Sequence, residues 1–280
     1  MSNPNGKELL RAAWALLRQD KSLMWLPLVG SVFGILAAAI FFVPGYALGW
    51  LVNGHEQGKM AYYAGVALAG LGATIVGVFF QTALVIGANE RAEGGEPTAE
   101  SCLRAAWRLK WRIITWSILT ATVGTVLHIL QERLGFVGAI FNWVGGLAWG
   151  IATIVVVPVL VAEDVGPITA VKRSTRVLRD TWGTSLRTAG RGFLLTFGLW
   201  LGPAIALCLG LGMAFGASDP SVVTLGVALI AVAVVAMIAL GTILSSVEAY
   251  ARALIYRYAV GLPTPGIETR VLASAFETKH

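Results

Sequence analysis

Three histidines, His55, His128 and His280, are the first candidates for acid–base or metal chemistry. Their positions assemble nothing. One falls in a short polar loop, one near the end of an apolar segment and one at position 280, so no triad and no ligand cluster results. Cys102 and Cys208 share no CxxC or Cys/His spacing, which argues against a zinc site and a disulfide framework. No glycine-rich loop precedes a Lys-Ser/Thr pair, so a phosphate cradle is not expected either. The expectation is a chain without metal, cofactor or catalytic residues.

What remains is polarity in unusual places. Gln81 is a strongly polar side chain deep inside an apolar run, and Thr242, Ser245 and Ser246 share one helical face that leads to Glu248. They are candidates for a cavity lining; the alternative is hydrogen bonding and packing between helices. Carboxylates gather where apolar runs end: Glu90, Glu163 with Asp164, and Glu248. They read as an interfacial charge network, with a headgroup or ligand pocket as the alternative. After Glu163 and Asp164 the chain turns at Gly166-Pro167 and continues with Lys172, Arg173, Arg176 and Arg179 up to Trp182. Four cations and a tryptophan at helical spacing suit anionic lipid headgroups.

The elements that must position these residues follow from composition. Hydrophobic residues are 56% of the 280 and charged residues 13%, about half the roughly 25% charged share of soluble domains. With mean hydropathy at +0.74, a soluble globule lacks the polar side chains to cover itself. The class is an all-α polytopic membrane bundle, one domain over residues 1–280. A span takes about 20 apolar residues, and six stretches qualify, near 23–47, 60–88, 112–130, 136–162, 192–213 and 222–247. Breaks at Asn53-Gly54, Gln131-Glu132-Arg133 and 217–220 are short, which predicts three hairpins. Residues 1–21 are polar and amphipathic, so no cleavable signal is expected and the first span would direct insertion.

Of the 21 lysines and arginines, only Lys59 and Arg133 fall in the connections within hairpins. The rest flank the opposite ends. The positive-inside bias therefore predicts both termini in the cytoplasm of a plasma membrane, with a cytoplasmic tail over 253–280. This account of the charge also removes the case for nucleic acid, and leaves anionic lipid as the expected partner.

A short segment recurs. Leu10-Arg11-Ala12-Ala13-Trp14-Ala15-Leu16 returns as Leu103-Arg104-Ala105-Ala106-Trp107-Arg108-Leu109, and a degenerate copy spans 171–179. Each precedes a hairpin. The unit reads as an interfacial amphipathic helix plus a hairpin, used three times; chance identity in an Ala/Leu/Arg-rich chain is the alternative. In the third copy the expected apolar stripe is Ile168, Val171, Thr175, Leu178 and Trp182. Small residues at four-residue spacing, such as Gly30, Gly34 and Ala38, predict close helix packing within the bundle, with a dimer face as the alternative. A homo-oligomer is thus left open. Trp14, Trp25, Trp107, Trp111 and Trp116 gather with Trp182 at the expected cytoplasmic boundary.

The stretch from Pro158 through Glu163, Gly166 and Pro167 to Ser174 and Trp182-Gly183 carries a resemblance. So do Tyr256-Arg257-Tyr258-Ala259 followed by Gly261, the pair Ala275-Phe276, and Trp116 leading into Ala121–Gly124. Together they resemble a prokaryotic six-span membrane family known only as a domain of unknown function. More distantly, the architecture is similar to the membrane domain attached to some glycerophosphodiester phosphodiesterases, whose catalytic domain has no counterpart here. The resemblance implies a polytopic membrane protein with no assigned activity. The expected role is a non-enzymatic organiser or sensor of the cytoplasmic leaflet. The alternative is a transporter or channel for a small or lipidic substrate.

Overall fold

The computed structural model describes residues 13–52, 56–163, 165–182, 186–216 and 219–263, with backbone alone at 56, 57, 136, 180–182 and 186–197. All described regular structure is helical. After a helical turn at 13–17 and a 3-10 turn at Leu23–Trp25 come α1 (Leu26–Leu51), α2 (Glu56–Ala92), α3 (Ala99–Arg108) and α4 (Lys110–Ala152). They are followed by α5 (Val156–Ala162), α6 (Pro167–Trp182), α7 (Leu186–Gly216) and α8 (Pro220–Ala259). Among the described residues six segments are long and apolar enough to span a bilayer, and the most apolar window of each is only 6% to 33% buried within the chain. Side chains such as Phe33, Ile40, Trp50 and Phe215 face outward, which in water would be prohibitive and in lipid is neutral. This is a membrane protein.

Glycine decides how the spans meet. α1 and α2 run antiparallel, with Gly30 under the Phe80 ring, Gly45 against Gly65 and Gly49 against Tyr62. A β-carbon on Gly45 would stand 2.7 Å from the Gly65 Cα, so the two backbones touch. α7 and α8 repeat the device, where a β-carbon on Gly210 would lie 3.0 Å from the Gly226 carbonyl oxygen. Not every small-residue ridge is an interface. Gly34 has one backbone atom at 4.0 Å, and Gly146, Gly150, Gly198 and Gly202 face open space.

The third and fourth spans depart from the expected boundaries. The helix continues through Gln131, Glu132 and Arg133 and reverses at Gly135, whose φ of 54° lies in the left-handed region that favours glycine. Asn142 donates to Gln131 across this turn, which accounts for the polar residues there without a break. The fourth span, expected to be continuous over 136–162, is interrupted after Ala152. Pro158 has no N–H for the Ile154 carbonyl and its ring crowds that oxygen. The chain therefore makes a turn over 153–155 and restarts as α5, in which Val156, Val157, Pro158, Val159 and Leu160 are all buried.

α8 runs on well past residue 247. At 1.5 Å per residue its 40 residues reach about 60 Å, against ~30 Å of hydrocarbon, so its final turns project beyond the membrane core. Residues 253–259, read from the sequence as tail, are helix, while 264–280 lie outside the described residues. The end of the bundle that carries Arg91, Arg104, Lys172, Arg176, Arg252 and Arg257 is here termed the basic end. Both buried apolar clusters sit there. One joins Leu17, Leu84, Cys102, Ala106, Tyr250 and Leu254, and the other joins Trp116, Val156, Leu160, Ala170, Val177 and Tyr256. The matching alanines of the recurring segment, Ala13 and Ala106, are both fully buried in the first cluster.

Candidate functional site at the basic end

The local fold of α6 starts from Glu163, which leaves α5 in an extended conformation (φ −111°, ψ 137°). Pro167 occupies the first helical position, where a missing N–H costs nothing. Glu163 then holds two partners at once. Arg173 Nε donates to Oε1 at 3.2 Å, and the Tyr256 hydroxyl donates to the same oxygen at 3.0 Å. α6 is thereby tied to α8 through the residue that precedes it. Ala170, Ser174, Val177 and Leu178 are buried against the ends of α4, α5 and α8.

This placement corrects the expected stripe. Ile168 and Thr175 are exposed and Val171 is half-buried, so the buried face is rotated by about one residue and is covered by protein. The physical reason is the apolar ledge made by α5, which the sequence hides inside an apparently uniform span. Lys172, Arg176 and Arg179 stand exposed on the opposite side, without a carboxylate partner among the described residues. Arg173 is withdrawn from them by Glu163. Asp164 and the Trp182 side chain lie outside the described residues.

Two further charge clusters were not legible in the sequence. Asp20, with its side chain 1% exposed, receives Arg91 Nε at 3.0 and 3.1 Å on its two oxygens, a third bond from Nη2 of the same guanidinium, and the Tyr250 hydroxyl at 2.8 Å. Arg257 is buried, donating from Nη1 to Glu93 at 2.9 Å and from Nε to the Pro263 carbonyl at 3.0 Å. α8 therefore sends Tyr250, Tyr256 and Arg257 to carboxylates on three separate parts of the chain. Glu248 bonds within its own helix, to Arg252 at 2.6 Å. Arg112 Nη1 donates to the Leu160 carbonyl at 3.2 Å, where a cation meets the negative end of α5. At the far end His128 faces Glu132 at 3.3 Å with both side chains exposed. Among the described residues no His, Cys, Asp and Glu group suits a metal.

The candidate cavity residues divide between two clefts of about 570 Å³ each, both open at the side of the bundle. Gln81, Ser245 and Glu248 line the first, over a floor of Gly30, Gly34 and Gly77. Thr242 lines the second, beneath Trp14, Arg18 and Lys21. Ser246 is fully buried and lines neither. Thr242 donates to the Ile238 carbonyl, and Ser245 and Ser246 to that of Thr242, so all three hydroxyls are satisfied within their own helix. Trp116 is likewise no interfacial ring. It is buried and stacked on Trp149, with centroids 6.0 Å apart.

The arrangement defines a class: a helical membrane protein with six spans among its described residues, whose buried clusters and arginine–carboxylate pairs gather at one end. Residues 60–265 match the profile of a family described as a family of unknown function (DUF6159), and the chain belongs to that family. No curated protein and no solved structure matches it. The more distant likeness to the membrane domain of glycerophosphodiester phosphodiesterases is not shown by the family match.

Proposed function

We propose that the chain is a non-enzymatic plasma-membrane protein that organises or senses anionic lipid in the cytoplasmic leaflet, with α6 as its reading surface. The observation that carries this is the division of labour among four adjacent cations. Arg173 is spent on Glu163, while Lys172, Arg176 and Arg179 stay exposed on a helix whose other face is clamped to the bundle. A fixed helix presents its charges without a backbone ordering cost at the moment of contact. Each basic residue near an anionic leaflet contributes on the order of 1 kcal/mol. Replacing Lys172, Arg176 and Arg179 together by Gln should therefore reduce enrichment of phosphatidylglycerol over phosphatidylcholine around the protein in mixed nanodiscs by roughly 10- to 100-fold at low salt. Unchanged enrichment would remove α6 from this role.

The orientation is tested separately. Asn53→Cys and Ser218→Cys, at positions outside the described residues, should react with a membrane-impermeant maleimide in intact cells. Thr98→Cys should react only after permeabilisation. Thr98 caps α3 at the basic end, accepting from the Ser101 N–H at 3.1 Å, so its labelling from outside would invert the topology. The rival reading, carriage of a small or lipidic substrate, is favoured by the cleft that holds Gln81, Ser245 and Glu248. It predicts that Gln81→Leu abolishes substrate-dependent flux in vesicles, an effect absent from a lipid organiser.

A further inference from the structure

We infer that the cleft between the N-terminal turn, α1 and α8 binds one anionic glycerophospholipid, with its phosphate at Arg18 and Lys21 and an acyl chain along the trough below. This rests on the same reading of the basic end as facing an anionic leaflet, but on different residues from α6. The cleft is amphipathic along its length. Arg18, Lys21 and Trp14 form one end, and Met24, Leu28, Val235 and Ile238 form the walls that run into the bundle. Its volume of about 570 Å³ lies within the range of sites that enclose small ligands.

The occupant follows from the surroundings. Val29, Val32, Val232 and Val235 are exposed on the flanking helices, so the trough opens onto hydrocarbon. Water there would have no polar partners except Thr242, whose hydroxyl is already bonded to Ile238. An acyl chain fills such a space with no loss of hydrogen bonds.

The head end selects by charge. Within Arg18-Gln19-Asp20-Lys21 the single carboxylate is turned inward to Arg91 and Tyr250. Its removal from the surface leaves Arg18 and Lys21 exposed together, with no ion-pair partner among the described residues. Trp25 is exposed in the same cleft and Trp14 half-buried, amphipathic rings placed where a glycerol and ester region would lie. Two cations with no ion-pair partner among the described residues, set over an apolar trough, complement a phosphodiester anion on an acyl chain better than a zwitterion, whose own ammonium would offset the attraction.

The test uses the full chain, delipidated in mild detergent and offered equimolar phosphatidylglycerol and phosphatidylcholine, with bound lipid counted by native mass spectrometry. The wild type should retain one phosphatidylglycerol per chain in preference to phosphatidylcholine. Arg18→Gln with Lys21→Gln, both at exposed positions, should lower that preference at least tenfold. Thr242→Trp, which fills the trough, should reduce retention of both lipids. Lys172→Gln with Arg176→Gln and Arg179→Gln should leave the retained lipid in place. Full preference in the Arg18/Lys21 variant overturns the site, as does full retention in Thr242→Trp. Loss of the lipid only in the α6 variant would also overturn it while leaving the α6 reading intact. Conversely, loss only at Arg18 and Lys21 supports this site even where α6 shows no lipid preference.

Discussion

Asp20→Ala should lower the stability of the bundle by about 3–5 kcal/mol, the cost of removing one partner from a buried ion pair. The substitution strands the Arg91 guanidinium, whose side chain is 19% exposed, and leaves the fully buried Tyr250 hydroxyl without its acceptor. Tyr250→Phe removes only the hydrogen bond to a charged acceptor and should cost less, about 1.5–3 kcal/mol. Asp20→Leu combined with Arg91→Met and Tyr250→Phe replaces the whole cluster by apolar side chains and should recover most of the loss, because such exchanges are often neutral. Cys102 supplies the reporter. It is fully buried in the same cluster, and burial pushes its thiol up to about 11, so it stays protonated and shielded until the basic end opens. In a Cys208→Ala background, heating in mild detergent with a thiol-reactive dye reports that opening. A loss below about 1 kcal/mol for Asp20→Ala would mean that the pair behaves as a hydrated surface bridge.

The second large effect concerns helix contact. Gly45→Leu should cost about 3 kcal/mol, the upper end for overpacking, because the new β-carbon meets backbone and not a side chain that can rotate away. Gly65 Cα at 2.7 Å and the Ala61 carbonyl at 3.0 Å belong to a rigid helix, so α1 and α2 must separate along this stretch. Gly34→Leu, one ridge further toward the basic end, should be tolerated within about 0.5 kcal/mol, since it projects into an open cleft. The contrast between two glycines in one helix is the measurement. Equal melting temperatures for the two variants would show that the Gly45–Gly65 approach is not maintained.

The difference between those two glycines also marks what a sequence can and cannot express. The spans were legible because length and apolarity are one-dimensional signals, and a run such as 222–247 needs no partner to be recognised. Which residue of a small-residue ridge touches a neighbour depends on crossing geometry, which spacing does not carry. The break after Ala152 had a visible cause in Pro158, masked by uninterrupted hydrophobicity. At the site, Lys172, Arg176 and Arg179 emerged from helical periodicity, and Glu163 from its position at the end of a span. Asp20, Arg91 and Tyr250 did not, being separated by 71 and 230 residues. Asp20 reads as ordinary polarity between Arg18 and Lys21, and Arg91 as one more cation on the side where most cations fall. Only folding shows that both are withdrawn from the surface.

The three attachments made by the end of α8 also impose an order in time. Asp20 and Tyr250 are 230 residues apart, so at 5–20 residues per second a ribosome needs about 10–50 s to supply the second after the first. During that interval Asp20 has Arg91, available once α2 is made, but not the Tyr250 hydroxyl; Glu163 has Arg173 but not Tyr256, and Glu93 awaits Arg257. Earlier helices can insert and pair by their glycines, yet the basic end lacks these three attachments until α8 has been made. The arrival of residues 250–257 thus joins Asp20, Glu163 and Glu93 to one helix, and hairpins that inserted separately come to depend on one another.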